Sequence, residues 1–162
     1  MSNGLIDIPV PIKRKIVAGF FSKMPKVVEY NEWLRQEVRR TGIVTTPSGR
    51  VRKFPEVLIA SSPSDWNMIY REAVNTPPQG GASDATLLAL INLDRMGFDI
   101  RLTVHDSVAV QGPAQDIRDI AATQIRVMSE SAAELYGDLI PFPTEVQIGP
   151  RWGSLQEVAT WA

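Results

Sequence analysis

Apolar residues recur at helical spacing through Ile12, Ile16, Phe20 and Met24, with Val17 and Phe21 beside them, and this pattern predicts a first helix. The ten residues before it read as a loop ending at Pro11. Pro25 closes the helix and suits the first turn of the next, which runs through Trp33, Leu34 and Val38 towards Gly42 as a C-terminal stop. The period then changes. Residues 43–54, IVTTPSGRVRKF, set two β-branched, basic arms around Pro47-Ser48-Gly49, which predicts a hairpin. After a loop, Ser64 is the expected N-cap of a helix through Trp66, Ile69 and Tyr70. Pro77-Pro78 should interrupt it, and a second helix should start near Gly81, carry Leu87, Leu88, Leu90, Ile91 and Met96, and end at Gly97.

Residues 100–112, IRLTVHDSVAVQG, predict a second hairpin, with apolar residues alternating on both sides of a central His-Asp-Ser. A helix is expected after Pro113, burying Ile117, Ile120, Met128 and Leu135 and stopping at Gly137. A late strand, TEVQI, precedes a short tail with Trp152 and Trp161. Helices, a central antiparallel hairpin, a long helix and a further strand predict an α+β fold. The first 65 or so residues are expected to form a separate lobe.

Composition narrows the chemistry. A chain of 162 residues that is 44% hydrophobic is about one domain long and can build a core. No apolar run approaches the ~18 residues of a membrane span, and a soluble intracellular protein is the default expectation. The absence of cysteine excludes disulfides, thiolate zinc sites and a thiol nucleophile. With His105 the only histidine, a multi-histidine metal cage is excluded too, so any metal should be a hard cation on carboxylate oxygens, most plausibly Mg²⁺. No Gly-x-Ser-x-Gly elbow surrounds a serine. Net charge is −1, but residues 1–80 carry about +5 and the rest about −6. A basic half can meet phosphate and an acidic half can hold cations; two solvated faces give the same counts.

Two stretches stand out. Asp106 sits where two apolar strands meet, so its carboxylate would project from the end of a rigid sheet, a good way to hold a divalent ion near a reacting phosphate. Asp and Ser are also ordinary turn residues. His105 beside it has the chemistry of a base, a phosphate contact or a buried, backbone-satisfied histidine. In residues 71–84, REAVNTPPQGGASD, the polar residues Arg71, Asn75 and Gln79 are spaced by four, which puts them on one side of a helix. All three can donate to minor-groove acceptors, and Gly80-Gly81 would let another chain approach closely. A Pro-broken helix with a polar face is the plainer reading.

Together these segments resemble the C-terminal polymerase motifs of A-family, DNA polymerase I-like enzymes. VTTPSGRVRKFP, residues 44–55, is similar to the family's Thr-x-x-Gly-Arg-Arg stretch, and REAVNTPPQGGASDATLLALI, residues 71–91, to its Arg-x-x-x-Asn-x-Pro-x-Gln-Gly-x-x-Ala-Asp segment. LTVHDSVAV, residues 102–110, resembles the Val-His-Asp-Glu motif C. FFSKMPKVVEY and the tail VQIGPRWGSLQEV are similar to a Tyr-Phe-x-x-Tyr-Pro-x-Val stretch and to the family's ending, and MSNGLIDIP looks like the stretch just after the fingers helix.

The resemblance implies a helical fingers-like lobe over residues 1–65, including the basic hairpin 43–54, and the C-terminal part of a palm over 66–162. It implies that Asp106 helps bind the two Mg²⁺ ions of nucleotidyl transfer and that His105 lies near the primer terminus. Arg71, Asn75 and Gln79 would contact primer-template DNA in its minor groove, with Arg50 and Arg52 as further nucleic-acid contacts. Two departures stand: Ser107 replaces the usual glutamate after the motif C aspartate, and Val51 separates Arg50 from Arg52. The motif A aspartate, the nucleotide-gripping fingers helix and the thumb are expected on an upstream partner. The expectation is therefore a phage-type split polymerase subunit, inactive alone and acting in the host cytoplasm, or a piece of a longer polymerase. Primer-template, dNTP and an N-terminal polymerase subunit are its expected partners, with no membrane. The alternative is a non-catalytic nucleic-acid-binding or structural remnant. Apolar surface on residues 12–38 and 87–96 would need covering, so aggregation in isolation is expected.

Overall fold

The computed structural model describes residues 8–137 and 140–161, with side chains described as far as Gln156. Helix α1 (Val10–Ser22) carries Pro11 in its first turn, so the helix begins just ahead of the position where the sequence pattern ends its loop; residues 1–7 lie outside the described set. Helix α2 (Pro25–Thr41) opens on its proline and ends at Gly42, whose φ of 65° lets its N–H reach the Val38 carbonyl at 2.8 Å. Strands β1 (Ile43–Thr45) and β2 (Val51–Lys53) pair as a hairpin, followed by a 3₁₀ turn over Pro55–Leu58.

The next element departs from expectation. Helix α3 runs unbroken from Pro63 to Arg95, with Pro77 and Pro78 inside it. Each proline fixes φ at a helical value but removes one donor, and such a position costs about 3 kcal/mol. The flanking turns supply the compensation: Ile69 and Ala73 on one side, and Ala89 and Leu93 on the other, are almost fully buried. The cap also differs. Ser62, not Ser64, opens the helix: its Oγ accepts from the Asp65 N–H at 3.1 Å, while Asp65 Oδ2 accepts from the N–H groups of Ser62 and Ser61. The Ser62 N–H first, then the Ser62 hydroxyl and the Ser61 N–H, hold the Asp65 carboxyl below its ordinary pKa.

Strands β3 (Asp99–Val104) and β4 (Ser107–Gln111) form an antiparallel hairpin, and helix α4 (Ile117–Tyr136) follows, stopping at Gly137. Its deepest residues are Ala121, Gln124, Ile125, Val127, Ser131 and Ala132, whereas Ile117, Ile120, Met128 and Leu135 are only half-buried. The predicted stripe thus marks the flanks of the buried face, whose centre combines Ile125 and Val127 with small and polar side chains. Strand β5 (Thr144–Ile148) is as expected, but the tail is not free: β6 (Gln156–Trp161) pairs antiparallel with it.

Two compact units divide these elements. One comprises residues up to Val44 with Lys53–Val74; the other comprises Thr45–Arg52 with the residues from Asn75 onward. The first is built on Leu34, Val38, Val44, Phe54, Ile69 and Ala73, with Trp66 and Tyr70 against them. In the second, Leu93, Val108 and Val127 are surrounded by Leu90, Phe98, Ile100, Val110 and Met128. Fully burying each large apolar side chain contributes about 1.5–3 kcal/mol. Helix α1 buries none of its residues, and Ile16 and Phe20 remain more than half exposed. No helix among the described residues is long and apolar enough to cross a membrane.

Candidate functional site

The β3–β4 hairpin closes in two residues. Val104 pairs with Ser107, leaving His105 and Asp106 as the whole loop. A loop this short needs positive φ, and His105 supplies it at φ 55°, the only non-glycine residue in that region among those described. Both side chains are exposed, so His105 is not a buried, backbone-satisfied histidine. The strands beneath are held from below: Ile100, Val108 and Val110 join Leu93 and Val127, and the buried Gln124 donates its amide to the Val108 carbonyl at 2.6 Å. Asp106 therefore stands on a seated ribbon, two residues from a buried side-chain anchor.

The fit to a metal can be tested on the donors present. Among the described residues no group of three or more His, Asp or Glu side chains comes together. Asp106 is a lone carboxylate at an exposed tip, and Ser107 adds only a hydroxyl. The described residues can fill one corner of a magnesium site, and the other ligands must come from elsewhere.

Arg71, Asn75 and Gln79 all lie on α3 and all are exposed; Arg71 belongs to the first unit, Asn75 and Gln79 to the second. The two glycines after them have a definite task. A Cβ on Gly80 would come within 2.7 Å of Thr46 Cγ2, and one on Gly81 within 2.8 Å of the Tyr136 hydroxyl. The close neighbours are thus the tip of the first hairpin and the end of α4. Tyr136 donates to the Gly81 carbonyl at 2.8 Å, and burial, followed by the nearby Asp84 charge, raises its pKa.

The second hub was not singled out from sequence. Asp84, with a side chain 11% exposed, is bound by Arg50 and Ser48 and accepts from Thr46 Oγ1 at 3.3 Å. Arg50, its side chain 47% exposed, pairs with Asp84, while Arg52 donates to Thr76 Oγ1 at 3.3 Å. A charged residue leading straight into the apolar run Leu87-Leu88-Ala89-Leu90 was the available signal for Asp84. Gln124 offered none, since an amide on a helix reads as solvated until a carbonyl is seen opposite it.

An exposed carboxylate on the tip of a seated hairpin and a long helix with exposed amide and guanidinium donors make up the candidate site of this α+β chain. The sequence profile of DNA polymerase family A matches residues 5–154. The thermostable DNA polymerase I of Thermus aquaticus is 32% identical over 156 residues, which is 94% of this chain and 18% of that protein. The DNA polymerase of Bacillus phage SP01 is 30% identical over 152 residues, 87% of this chain and 16% of that one. Among solved structures, the POL domain of Pol1 from M. smegmatis in complex with DNA primer-template and dNTP aligns with a TM-score of 0.69 at 25% identity, covering 76% of this chain and 23% of that one. The chain belongs to DNA polymerase family A. It spans less than a fifth of the length of the curated relatives it matches.

Proposed function

We propose that this chain provides the C-terminal part of the polymerase domain of a template-directed DNA polymerase, with Asp106 supplying one carboxylate of its metal site. The observation that carries this reading is Asp106 itself, exposed at the apex of a two-residue hairpin and without carboxylate companions among the described residues. An acceptor held so rigidly can fix a cation against a phosphate at little cost in reorganisation. When bound, Mg²⁺ supplies activation of the primer 3′-hydroxyl and neutralisation of charge on the departing pyrophosphate. His105, adjacent and exposed, would meet the primer terminus. Arg71, Asn75 and Gln79 donate to minor-groove acceptors, which lie in similar positions for every correct pair, so they check pair geometry without reading sequence. Arg50 and Arg52 add nucleic-acid contacts near the first hairpin, and the pairing of Arg50 with Asp84 helps to hold that hairpin in place.

The remaining ligands, the nucleotide-gripping helix and the thumb come from an upstream polymerase segment, which we place on a separate N-terminal subunit of a phage-type split enzyme working in the host cytoplasm. The exposed apolar side chains of α1 in the first unit, and separately Leu102 and Val104 on the hairpin of the second, are surfaces such a partner would cover. Fingers-like and palm portions are assigned to residues 1–65 and 66–162.

Co-expression with an upstream family A segment should give Mg²⁺-dependent primer extension. Asp106→Ala should lower it by about 10³-fold or more, equivalent to losing several kcal/mol of charge stabilisation. Full extension by Asp106→Ala would remove the catalytic assignment. Ser107, in place of the usual glutamate, favours a second reading, a non-catalytic relic that binds nucleic acid. On that reading no upstream segment restores extension, and Asp106→Ala leaves DNA binding unchanged.

A further inference from the structure

The tip of the first hairpin, Thr45–Arg52, belongs to the same compact unit as α3 from Asn75 onward. It meets that helix along one stripe. Arg52 donates to Thr76, the Thr46 methyl packs against Gly80, where a Cβ would come within 2.7 Å of it, and Thr46, Ser48 and Arg50 all bind Asp84. Thr76, Gly80 and Asp84 are spaced by four, so the hairpin spans about 12 Å of one helix face. Pro77 and Pro78 fall inside that span, and their missing N–H groups strip the helix of two successive main-chain bonds. Helices kink sharply at such positions, yet α3 is continuous. Burial of the flanking turns holds the helix on either side of the prolines; the hairpin reaches across them.

Its anchor is suited to fixing one geometry. The tip is closed on itself, with the Thr46 N–H on the Arg50 carbonyl at 2.8 Å and the Arg50 N–H on Thr46 Oγ1 at 3.1 Å. The Asp84 side chain is nearly enclosed, and its bonds to Thr46, Ser48 and Arg50 all reach this one tip. A carboxylate held in this way adds little stability over an apolar side chain of its own volume, but it admits one arrangement of its donors. On the neighbouring stripe of α3, one residue before Thr76 and Gly80, stand the exposed Asn75 and Gln79. They share a face only while the turn between them stays helical, and Pro77 and Pro78 lie in that turn.

We infer that the hairpin is a splint on α3 and that Asp84 is the positioning residue that fastens it, keeping the diproline turn helical and Asn75 and Gln79 in register. Their task at the minor groove is the one proposed above, and the positioning role of Asp84 rests on that reading.

Amide hydrogen exchange on the full chain tests the splint. The amides of residues 79–82 bond to the carbonyls of residues 75–78, across the prolines. Asp84→Ala should speed their exchange about tenfold or more, as expected when bonds to a charged group are lost, and leave the amides of residues 121–132 in α4 unchanged. Ser48→Ala, which removes one exposed hydroxyl, should speed the same four by about threefold. Pro77→Ala/Pro78→Ala returns two donors to the helix, and in the Asp84→Ala background it should bring exchange back to about the wild-type rate. Faster exchange confined to the hairpin, equal acceleration in α4, or no rescue by the two alanines overturns the splint.

Positioning is read in the co-expressed enzyme, as the ratio of extension from a matched to a mismatched primer terminus. Asp84→Ala should lower that ratio by about tenfold, as Gln79→Ala should, and the two together should do no more than either alone. Replacing both prolines in the Asp84→Ala background should restore it. A uniformly slower enzyme with its ratio intact refutes the positioning role. An enzyme in which the wild type extends no primer refutes the polymerase reading and that role with it, while the exchange rates still decide the splint.

Discussion

Gly80→Ala puts two opposing effects of known size on one atom. Alanine in a helix is favoured over glycine by about 0.8–1 kcal/mol. Its Cβ, however, would stand 2.7 Å from Thr46 Cγ2, about 0.8–1.3 Å inside an ordinary carbon contact of roughly 3.5–4.0 Å. Thr46 cannot turn aside cheaply. It is 3% exposed, and its Oγ1 contacts Ser48 Oγ at 2.7 Å, the Arg50 N–H at 3.1 Å and Asp84 Oδ2 at 3.3 Å, so rotating the methyl away breaks all three. Overpacking of this kind costs about 1–3 kcal/mol, which leaves Gly80→Ala destabilised by about 1 kcal/mol in urea denaturation with an unchanged m-value. In a Thr46→Ser background the methyl is gone and the hydroxyl remains, so the same change should stabilise by about 0.5–1 kcal/mol. The sign reverses, and the double-mutant cycle should give a coupling of about 1–3 kcal/mol. A Gly80→Ala variant more stable than wild type, or a coupling below about 0.5 kcal/mol, would show that the hairpin tip does not sit against this glycine.

Gln124→Met keeps the volume of the side chain but leaves the Val108 carbonyl without its amide, at a cost of about 1–3 kcal/mol, or a melting temperature lower by roughly 2–12 °C; an unchanged melt would mean that this carbonyl is satisfied by another donor. Tyr136→Phe removes the hydroxyl that donates to Gly81, costing about 0.5–1.5 kcal/mol at neutral pH. Because burial raises the folded pKa of Tyr136 above its ordinary 10.0, the neutral side chain's contribution is complete below that value and is lost as pH rises through the folded one. The stability gap between wild type and Phe variant should therefore hold up to about pH 9 and narrow as the pH rises beyond about 10, and a gap that stays constant there would contradict the burial of the hydroxyl.

Much of this architecture was legible along the chain because local signals and tertiary packing agree there. Pro25 and Gly42 bracket α2, and Pro47-Ser48-Gly49 and His105-Asp106 sit in the turns their chemistry suits. Legibility fails where distant contacts outweigh local preference. Pro77-Pro78 reads as a break because the sequence does not display the burial of Ala73 and Leu93 that holds the helix together across it. Ser64 and Ser62 are equally good caps on paper, and the reciprocal bonds with Asp65 decide between them. Strand β6 was not singled out although Gly149-Pro150 marks a turn before it; its pairing with β5 is made across residues 149–155, which include a 3₁₀ turn at Trp152–Ser154. At the site, Asp106, His105 and the exposed donors of α3 were visible as residue types in order. The supports beneath them, Gln124 under β4 and Asp84 behind the first hairpin, exist only as contacts between segments far apart in sequence.

The register of the β3–β4 ribbon carries a consequence of its own. Ile100 pairs with Val110 and Leu102 with Ala109, so Arg101 is one residue more than its partner strand can match. That extra residue changes the parity of everything beyond it. Thr103 falls on the side of Val108 and Val110, while Leu102 and Val104 turn to the opposite side, where they are 44% and 40% exposed. Deleting Arg101 would remove the bulge and leave these pairings as they are, with Leu102 still opposite Ala109 and the two-residue loop that carries Asp106 intact. A ribbon apolar on one side can serve as an outer wall, but this one, apolar on both, is built as a partition: it gives the carboxylate at its rim a dry layer on one side and leaves the other ready for a second.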